Sequence, residues 1–152
     1  MNKHVLKSLV AIILLNLGVC VGTQANQENK TIRWRKPEEC IAGTPASRRR
    51  AARSLGVGRG RWVVAYFSAY CSDCDRAAVE LNRVAGSERV LGLTLAPAAI
   101  AKRWRQELGL KYRVISVSER TFEDLGAVIL PTVVLFEDGE AKGAYTPSVE
   151  ER

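Results

Sequence analysis

The chain holds a single histidine, His4, and it lies within the first few amino acids. Aromatic residues are sparse at 7% of the sequence, which leaves little material for the stacking platforms that bind single-stranded nucleic acid. No basic–aromatic interleaving or groove-binding motif accompanies the positive charge, so nucleic acid is not an expected partner. Internal repeats and low-complexity tracts are also missing. The apolar run Leu9–Leu15 is stopped by Asn16, well short of the roughly 20 residues a comfortable transmembrane helix needs. What is present is ordinary for a globular protein. Apolar residues make up 47% of 152, enough for one cored domain and a short leader.

The first 25 residues read as a secretory signal. Lys3, His4 and Lys7 give a positive start, Leu9–Leu15 an apolar centre, and Thr23-Gln24-Ala25 the small residues that place cleavage after Ala25. The alternative is an uncleaved membrane anchor. Lipidation at Cys20 is disfavoured because Val19 stands before it, where a small residue is wanted. The protein is thus expected to be periplasmic or otherwise exported, with membrane association only through this leader. Cleavage would remove Lys3 and Lys7 and no acid, taking the formal charge from +7 to about +5. The excess gathers in Arg33, Arg35, Lys36, Arg48, Arg49, Arg50, Arg53, Arg59 and Arg61. This cluster reads first as a solvated face, with an acidic partner or anionic lipid as the alternative. Three cysteines would remain, Cys40, Cys71 and Cys74, and an odd number does not suit a domain stapled by disulfides.

Residues 26–60 form a polar, basic lead-in. It is extended, with one short strand near Ile32–Arg35, a largely exposed basic helix over Pro45–Leu55 with Ser47 as its candidate cap, and a break at Gly56, Gly58 and Gly60. The domain proper is expected over 61–152. Trp62–Phe67 is a continuous apolar run, which predicts a central strand buried on both faces. After Cys71 and Cys74, the residues Ala77, Ala78, Leu81, Val84 and Ala85 fall on one helical face that stops at Gly86. Val90–Leu95 predicts a second strand. Pro97 opens a helix that turns Ile100, Ala101, Trp104 and Leu108 inward and ends at Gly109, and Tyr112–Val117 predicts a third strand. A short helical turn over Thr121–Gly126 precedes two strands, Thr132–Phe136 and Ala141–Tyr145, joined by the hairpin signal Asp138-Gly139. This alternation predicts an α/β fold: a mixed, mostly parallel central sheet flanked by helices.

The chemistry concentrates in Cys71-Ser72-Asp73-Cys74. Such a pair can be half of a zinc site, a structural disulfide or a redox centre. Zinc wants about four ligands, and beyond these two only Cys40 remains once the leader is set aside. A disulfide across two intervening residues closes too small a loop to stabilise much. The redox reading explains position as well as spacing. Cys71 follows a buried strand and opens a helix, where unsatisfied N–H groups and the helix dipole favour a thiolate. Cys74 follows one turn later, close enough to attack a mixed disulfide formed at Cys71.

The strand, the Tyr70–Cys74 segment and Leu130-Pro131-Thr132 before an Asp-Gly hairpin together resemble the thioredoxin superfamily. The sixty positions from Cys71 to Pro131, holding an extra helix and strand, are similar to the TlpA-type periplasmic thiol:disulfide reductases. The likeness spans roughly Arg61 to Tyr145, and the P-x-x-x-T-x-x-C site of peroxiredoxins is absent. It implies a thioredoxin-like fold and an exported thiol–disulfide oxidoreductase with Cys71 and Cys74 as catalytic residues. It also implies a cis Pro131, and Tyr70, Leu130 and Pro131 as the substrate-binding residues, the Leu130 backbone pairing with an incoming peptide. The expected partners are protein substrates carrying thiols or disulfides and a redox donor or acceptor protein. No cofactor is expected beyond the redox-active disulfide.

Four features depart from the family. Ala65 occupies the place of thioredoxin's buried acid, Tyr70 replaces the usual Trp, and Ser-Asp replaces Gly-Pro. Only seven residues follow Tyr145, so the resemblance implies a truncated C-terminus whose face is covered otherwise or left open. Asp73 and Asp75, offset by Arg76, oppose negative charge on Cys71 and tilt the expected direction towards reduction or isomerisation. A thioredoxin-fold binding or assembly module is the alternative function. Cys40 reads as a second redox partner, a dimer-forming thiol or an inert buried residue; Trp62 and Trp104 read as core, and Trp34 as a candidate partner contact.

Overall fold

The structure is a computed structural model that describes residues 33–147. The leader, Cys20, the cleavage position after Ala25, Ile32 and residues 148–152 lie outside the described residues.

The central strand β1, Arg61–Phe67, is buried over its last five residues, because its apolar run meets a helix layer on each side. Val63, Ala65 and Phe67 point to one face and Val64 and Tyr66 to the other, as the two-residue period of a strand requires. β1 pairs in parallel with β2 (Val90–Thr94), which pairs in parallel with β3 (Arg113–Ser116). On its other side β1 runs against β4 (Thr132–Glu137), which forms a hairpin with β5 (Glu140–Tyr145). The sheet order is β3-β2-β1-β4-β5. At the hairpin turn Asp138 and Gly139 both take positive φ (51° and 80°), as a type I′ turn requires.

The helices follow from similar local rules. α1 (Pro37–Cys40) starts on a proline, and α2 (Pro45–Ser54) is held by a reciprocal capping box between Thr44 and Ser47. α3 (Ser72–Glu80) continues into a 3₁₀ turn at Leu81–Arg83, and α4 (Ala98–Glu107) follows Pro97. A short fifth helix, α5 (Glu119–Asp124), is capped by Ser118. Between β2 and the proline turn, α4 and β3 form the expected helix–strand insertion, and β3 supplies one edge of the sheet. On one face, Val64, Tyr66, Leu91, Leu93, Val134 and Phe136 pack with Cys40, Ile41, Ala51, Ala52, Phe122 and Leu125. On the other face, Phe67 meets the Trp104 ring at 5.5 Å, and the Tyr112 hydroxyl donates to the Ala78 carbonyl at 2.8 Å. Burying large side chains such as Phe67, Phe136 and Leu93 contributes about 1.5–3 kcal/mol each.

Among the described residues, those from Arg33 onward pack as one compact unit, to which α1 and α2 supply core residues. Three expectations are corrected. The polarity of the stretch before Arg61 hides a short apolar stripe in the helix expected to be largely exposed: Ala51 and Ala52 are buried, and Arg48 is buried too because its guanidinium donates to the Ala42 and Gly43 carbonyls at 2.8 and 2.9 Å. The cap of α2 is Thr44, with Ser47 as its capping-box partner. The strand expected near Ile32–Arg35 reduces, among the described residues, to a bridge in which Arg35 exchanges backbone bonds with Ala144 at 2.8 and 3.0 Å. That bridge lays Trp34 on Gly143, where any Cβ would press on the indole, so Trp34 covers the sheet rather than standing out for a partner.

Candidate functional site

The site forms where β1 ends. Parallel pairing brings the chain after Phe67 level with the chain after Thr94, and the β1–β4 register sets Thr132 against Tyr66. Pro131 therefore lies at the end of the strand that leads into Tyr70 and Cys71. The structure thus brings the sequence-predicted site residues to one end of the sheet. The Leu130–Pro131 peptide is cis, and Pro131 is buried. Thr132 Oγ1 donates to the Ile129 carbonyl at 2.6 Å and fixes the turn from within. Outside the helices and strands, no backbone hydrogen bond among the described residues uses the Leu130 N–H or carbonyl.

The two cysteines have different surroundings. Cys71 is the N-cap of α3, in extended conformation at φ −129°, half-buried, and its Sγ accepts the Cys74 N–H at 3.4 Å. A sulfur here fills the place that a Ser or Asp oxygen fills in an ordinary cap. Cys74 is fully buried, and its Sγ accepts the Ser68 N–H at 3.3 Å. Burial pushes the Cys74 thiol up to about 12; the Ser68 N–H works against this, and the Cys71 sulfur and the Asp75 carboxylate add to it. All three described cysteines are free thiols. Cys40 packs in the core beneath α1, on the opposite face of the sheet from α3. Among the described residues no group of three or more His, Cys, Asp or Glu is placed to hold a metal ion.

The acids of the first turn separate. Asp73 takes Arg76 at 2.5 Å, whereas Asp75 accepts the Trp104 indole N–H at 2.7 Å. Ala65, in the strand facing α3, is fully buried and offers no acid. Tyr70, directly before Cys71, is 79% exposed, and Leu95, Val128 and Ile129 are also exposed. Sequence reasoning missed the Ser68 N–H, the Asp75–Trp104 bond and the Val128-Ile129 pair. Only the last carried a sequence signal: an apolar run before a proline that no strand absorbs. The basic cluster is broken up by local bonds. Arg35 pairs with Glu39, Arg49 with Glu140, and Arg61 with Glu88 and Glu137, so much of it is an ordinary solvated surface.

No family model and no curated protein matches the chain. Solved structures do. The thioredoxin domain of a thiol-disulfide oxidoreductase from Bacteroides vulgatus superposes with TM-score 0.55 at 15% identity, covering 64% of this chain and 82% of that one. A secreted Mycobacterium tuberculosis disulfide oxidoreductase homologous to E. coli DsbE gives TM-score 0.51 at 16% identity, covering 60% and 72%. A thiol-disulfide oxidoreductase from Bacteroides fragilis gives 0.50 at 15%, covering 62% and 81%. The fold is thioredoxin-like. At these identities the likeness is one of fold.

Proposed function

We propose that the chain is an exported thiol–disulfide oxidoreductase that exchanges disulfides with protein substrates through Cys71 and Cys74. The observation that carries this reading is the asymmetry of the pair: a half-exposed sulfur at a helix N-terminus, and a buried, proton-holding sulfur one turn later. Cys71 as thiolate attacks a substrate disulfide, and one substrate sulfur leaves with the electron pair. Cys74 then loses its proton and attacks Cys71 Sγ, forming the 71–74 disulfide and releasing the second substrate thiolate. Run backwards, these steps oxidise a substrate dithiol. Tyr70, Pro131 and the open Leu130 backbone form the peptide-binding surface, with Leu130 adding the substrate as a short strand. No cofactor beyond the cysteine pair enters the cycle. Export is carried by residues 1–25, and the partners are thiol- or disulfide-bearing proteins together with a redox donor or acceptor.

The direction is reducing or isomerising. The first turn of α3 carries the acids Asp73 and Asp75, whereas strong oxidants set their attacking sulfur in electropositive surroundings. Equilibration of the 71–74 pair with glutathione tests this, and a potential near the roughly −120 mV of strong periplasmic oxidants contradicts it. The test of the function itself is Cys74→Ala in native extracts. Disulfide-linked adducts through Cys71, released by dithiothreitol and absent from the Cys71→Ala/Cys74→Ala double variant, are the expected result. A Cys74→Ala protein that retains its partners and traps none covalently is a binding module instead.

A further inference from the structure

Arg48 is the one charged side chain that the fold buries among the described residues, at 4% exposed. It stands on the inner side of α2 with Ala51 and Ala52, on the sheet face opposite α3. A buried cation is unfavourable unless hydrogen bonds satisfy it, so its partners decide its role. Those partners are backbone carbonyls rather than a carboxylate: Nη1 donates to the Ala42 carbonyl at 2.8 Å and to the Gly43 carbonyl at 2.9 Å. Ala42 and Gly43 form the exposed link between α1 and α2, and this link meets the end of α5. The Ala42 N–H donates to the Gly126 carbonyl at 2.9 Å. Gly43 faces the Glu123 and Asp124 carbonyls, which a Cβ there would meet at 3.9 and 4.0 Å.

Gly126 leads through Ala127, Val128, Ile129 and Leu130 to the cis Pro131. The far end of this segment is held by the Thr132 hydroxyl, on the Ile129 carbonyl at 2.6 Å. Beyond the closing bonds of α5 itself, the near end has two ties. One is the Ala42–Gly126 bond, and the other is the Tyr66 hydroxyl, which donates to the Leu125 carbonyl at the longer distance of 3.5 Å. We propose that Arg48 is a positioning residue for substrate binding: by clasping the Ala42 and Gly43 carbonyls it holds Ala42 on Gly126, and so sets the segment Ala127–Leu130 that presents Leu130 to an incoming peptide. This deepens the redox reading above and rests on its assignment of Leu130. Because α2 and α3 lie on opposite faces of the sheet, Arg48 reaches the reaction only through that segment.

Two probes separate presentation from chemistry. One is a cyclic disulfide peptide with apolar residues beside its cysteines and a fluorophore–quencher pair. The other is dithiobis-nitrobenzoate, an aromatic disulfide too small to need strand pairing. In a single turnover of the reduced full chain, the peptide disulfide becomes two thiols as the 71–74 dithiol becomes a disulfide, so no other reductant enters. The rate against peptide concentration gives a half-saturation constant and a limiting rate. Arg48→Met keeps an apolar stem and removes the donor. It is expected to raise the half-saturation constant about tenfold, the scale on which loss of a charge-assisted hydrogen bond shifts a population of binding-competent segments. The limiting rate and the rate with dithiobis-nitrobenzoate are expected to stay within about twofold. One nitrogen serves both carbonyls, so the single ammonium of Arg48→Lys is expected to return the constant towards wild type. Where thermal unfolding shows that Arg48→Met does not fold, Arg48→Lys alone carries the test, with a smaller rise because its stem is shorter. An unchanged constant in a folded variant, or a loss shared equally by the small reagent, overturns the inference while the redox reading stands. A wild-type chain that reduces neither probe overturns both.

Discussion

The two ends of the sheet are built from opposite materials. Where β1 begins, Asp138 receives the Gly60 N–H at 2.8 Å and returns its own N–H to the Gly60 carbonyl at 2.9 Å. Arg61 bridges Glu88 and Glu137, Arg49 and Lys142 share Glu140, and Arg89 lies 4.8 Å over the Trp62 ring. Where β1 ends, the segments that follow β1 and β2 and lead into the proline turn expose Tyr70, Leu95, Val128 and Ile129. Charged groups pair locally because surface ion pairs are cheap to make and to lose, typically below about 1 kcal/mol. Exposed apolar side chains have no such local partner and mark a surface that meets something else. Thus one end closes the hairpin, and the other carries the cysteine pair.

That contrast breaks most easily at Gly126, the stiff joint of the cysteine end. It has φ +85°, and a Cβ there would strike the Ala42 carbonyl, whose own residue donates to the Gly126 carbonyl at 2.9 Å. Gly126→Ala is expected to cost about 2–4 kcal/mol in urea unfolding, more than any single change at the hairpin end. A cost below about 1 kcal/mol would show that the cysteine end gives way around it.

A smaller effect comes from alkali. The Cys74 thiol is pushed up to about 12 in the folded chain, while an unfolded thiol ionises near 8.5. Between those values the folded state holds a proton that the unfolded state has lost. Stability is therefore full below the unfolded value and falls as pH rises through the folded one. The slope from this group is about 1 kcal/mol per pH unit, and buried Tyr66 and Tyr112, whose hydroxyls are also pushed up by burial, add to it above pH ~10. Thermal unfolding of wild type against Cys74→Ala between pH ~8.5 and ~10 isolates the cysteine. Parallel curves would mean that the thiol ionises without resistance.

The smallest effect is at the hairpin. Asp138→Ala removes the Gly60 bond and a residue tolerant of positive φ, so it should cost about 1 kcal/mol and leave the rate of thiol exchange unchanged. A changed exchange rate would show the two ends to be coupled.

Much of this was legible in sequence. Trp62–Phe67 reads as a strand covered on both sides, Ala77 and Ala78 as the inner face of a helix that gives way to a 3₁₀ turn at Leu81, short of the expected stop at Gly86, and Asp138-Gly139 as a tight hairpin. These are local rules, set by a period of two or 3.6 and by φ at two residues. The packing of the stretch before Arg61 is not legible in sequence, because its buried stripe is as short as Ala51-Ala52 and lies within a polar, basic segment. Arg48 reads as one of three surface arginines until two carbonyls are found within its reach.

The sequence alone determined the elements, their order and the cysteine pair at a strand–helix junction. The tertiary structure decided which neighbours each thiol would have. Trp104 is 29 residues from Asp75, Ser68 turns its N–H onto Cys74, and Trp34 folds over Gly143. No periodicity encodes such meetings, because they depend on how two helices and a strand end converge in space. A thiol's proton affinity is a property of that convergence, through burial, nearby charge and the donors aimed at it.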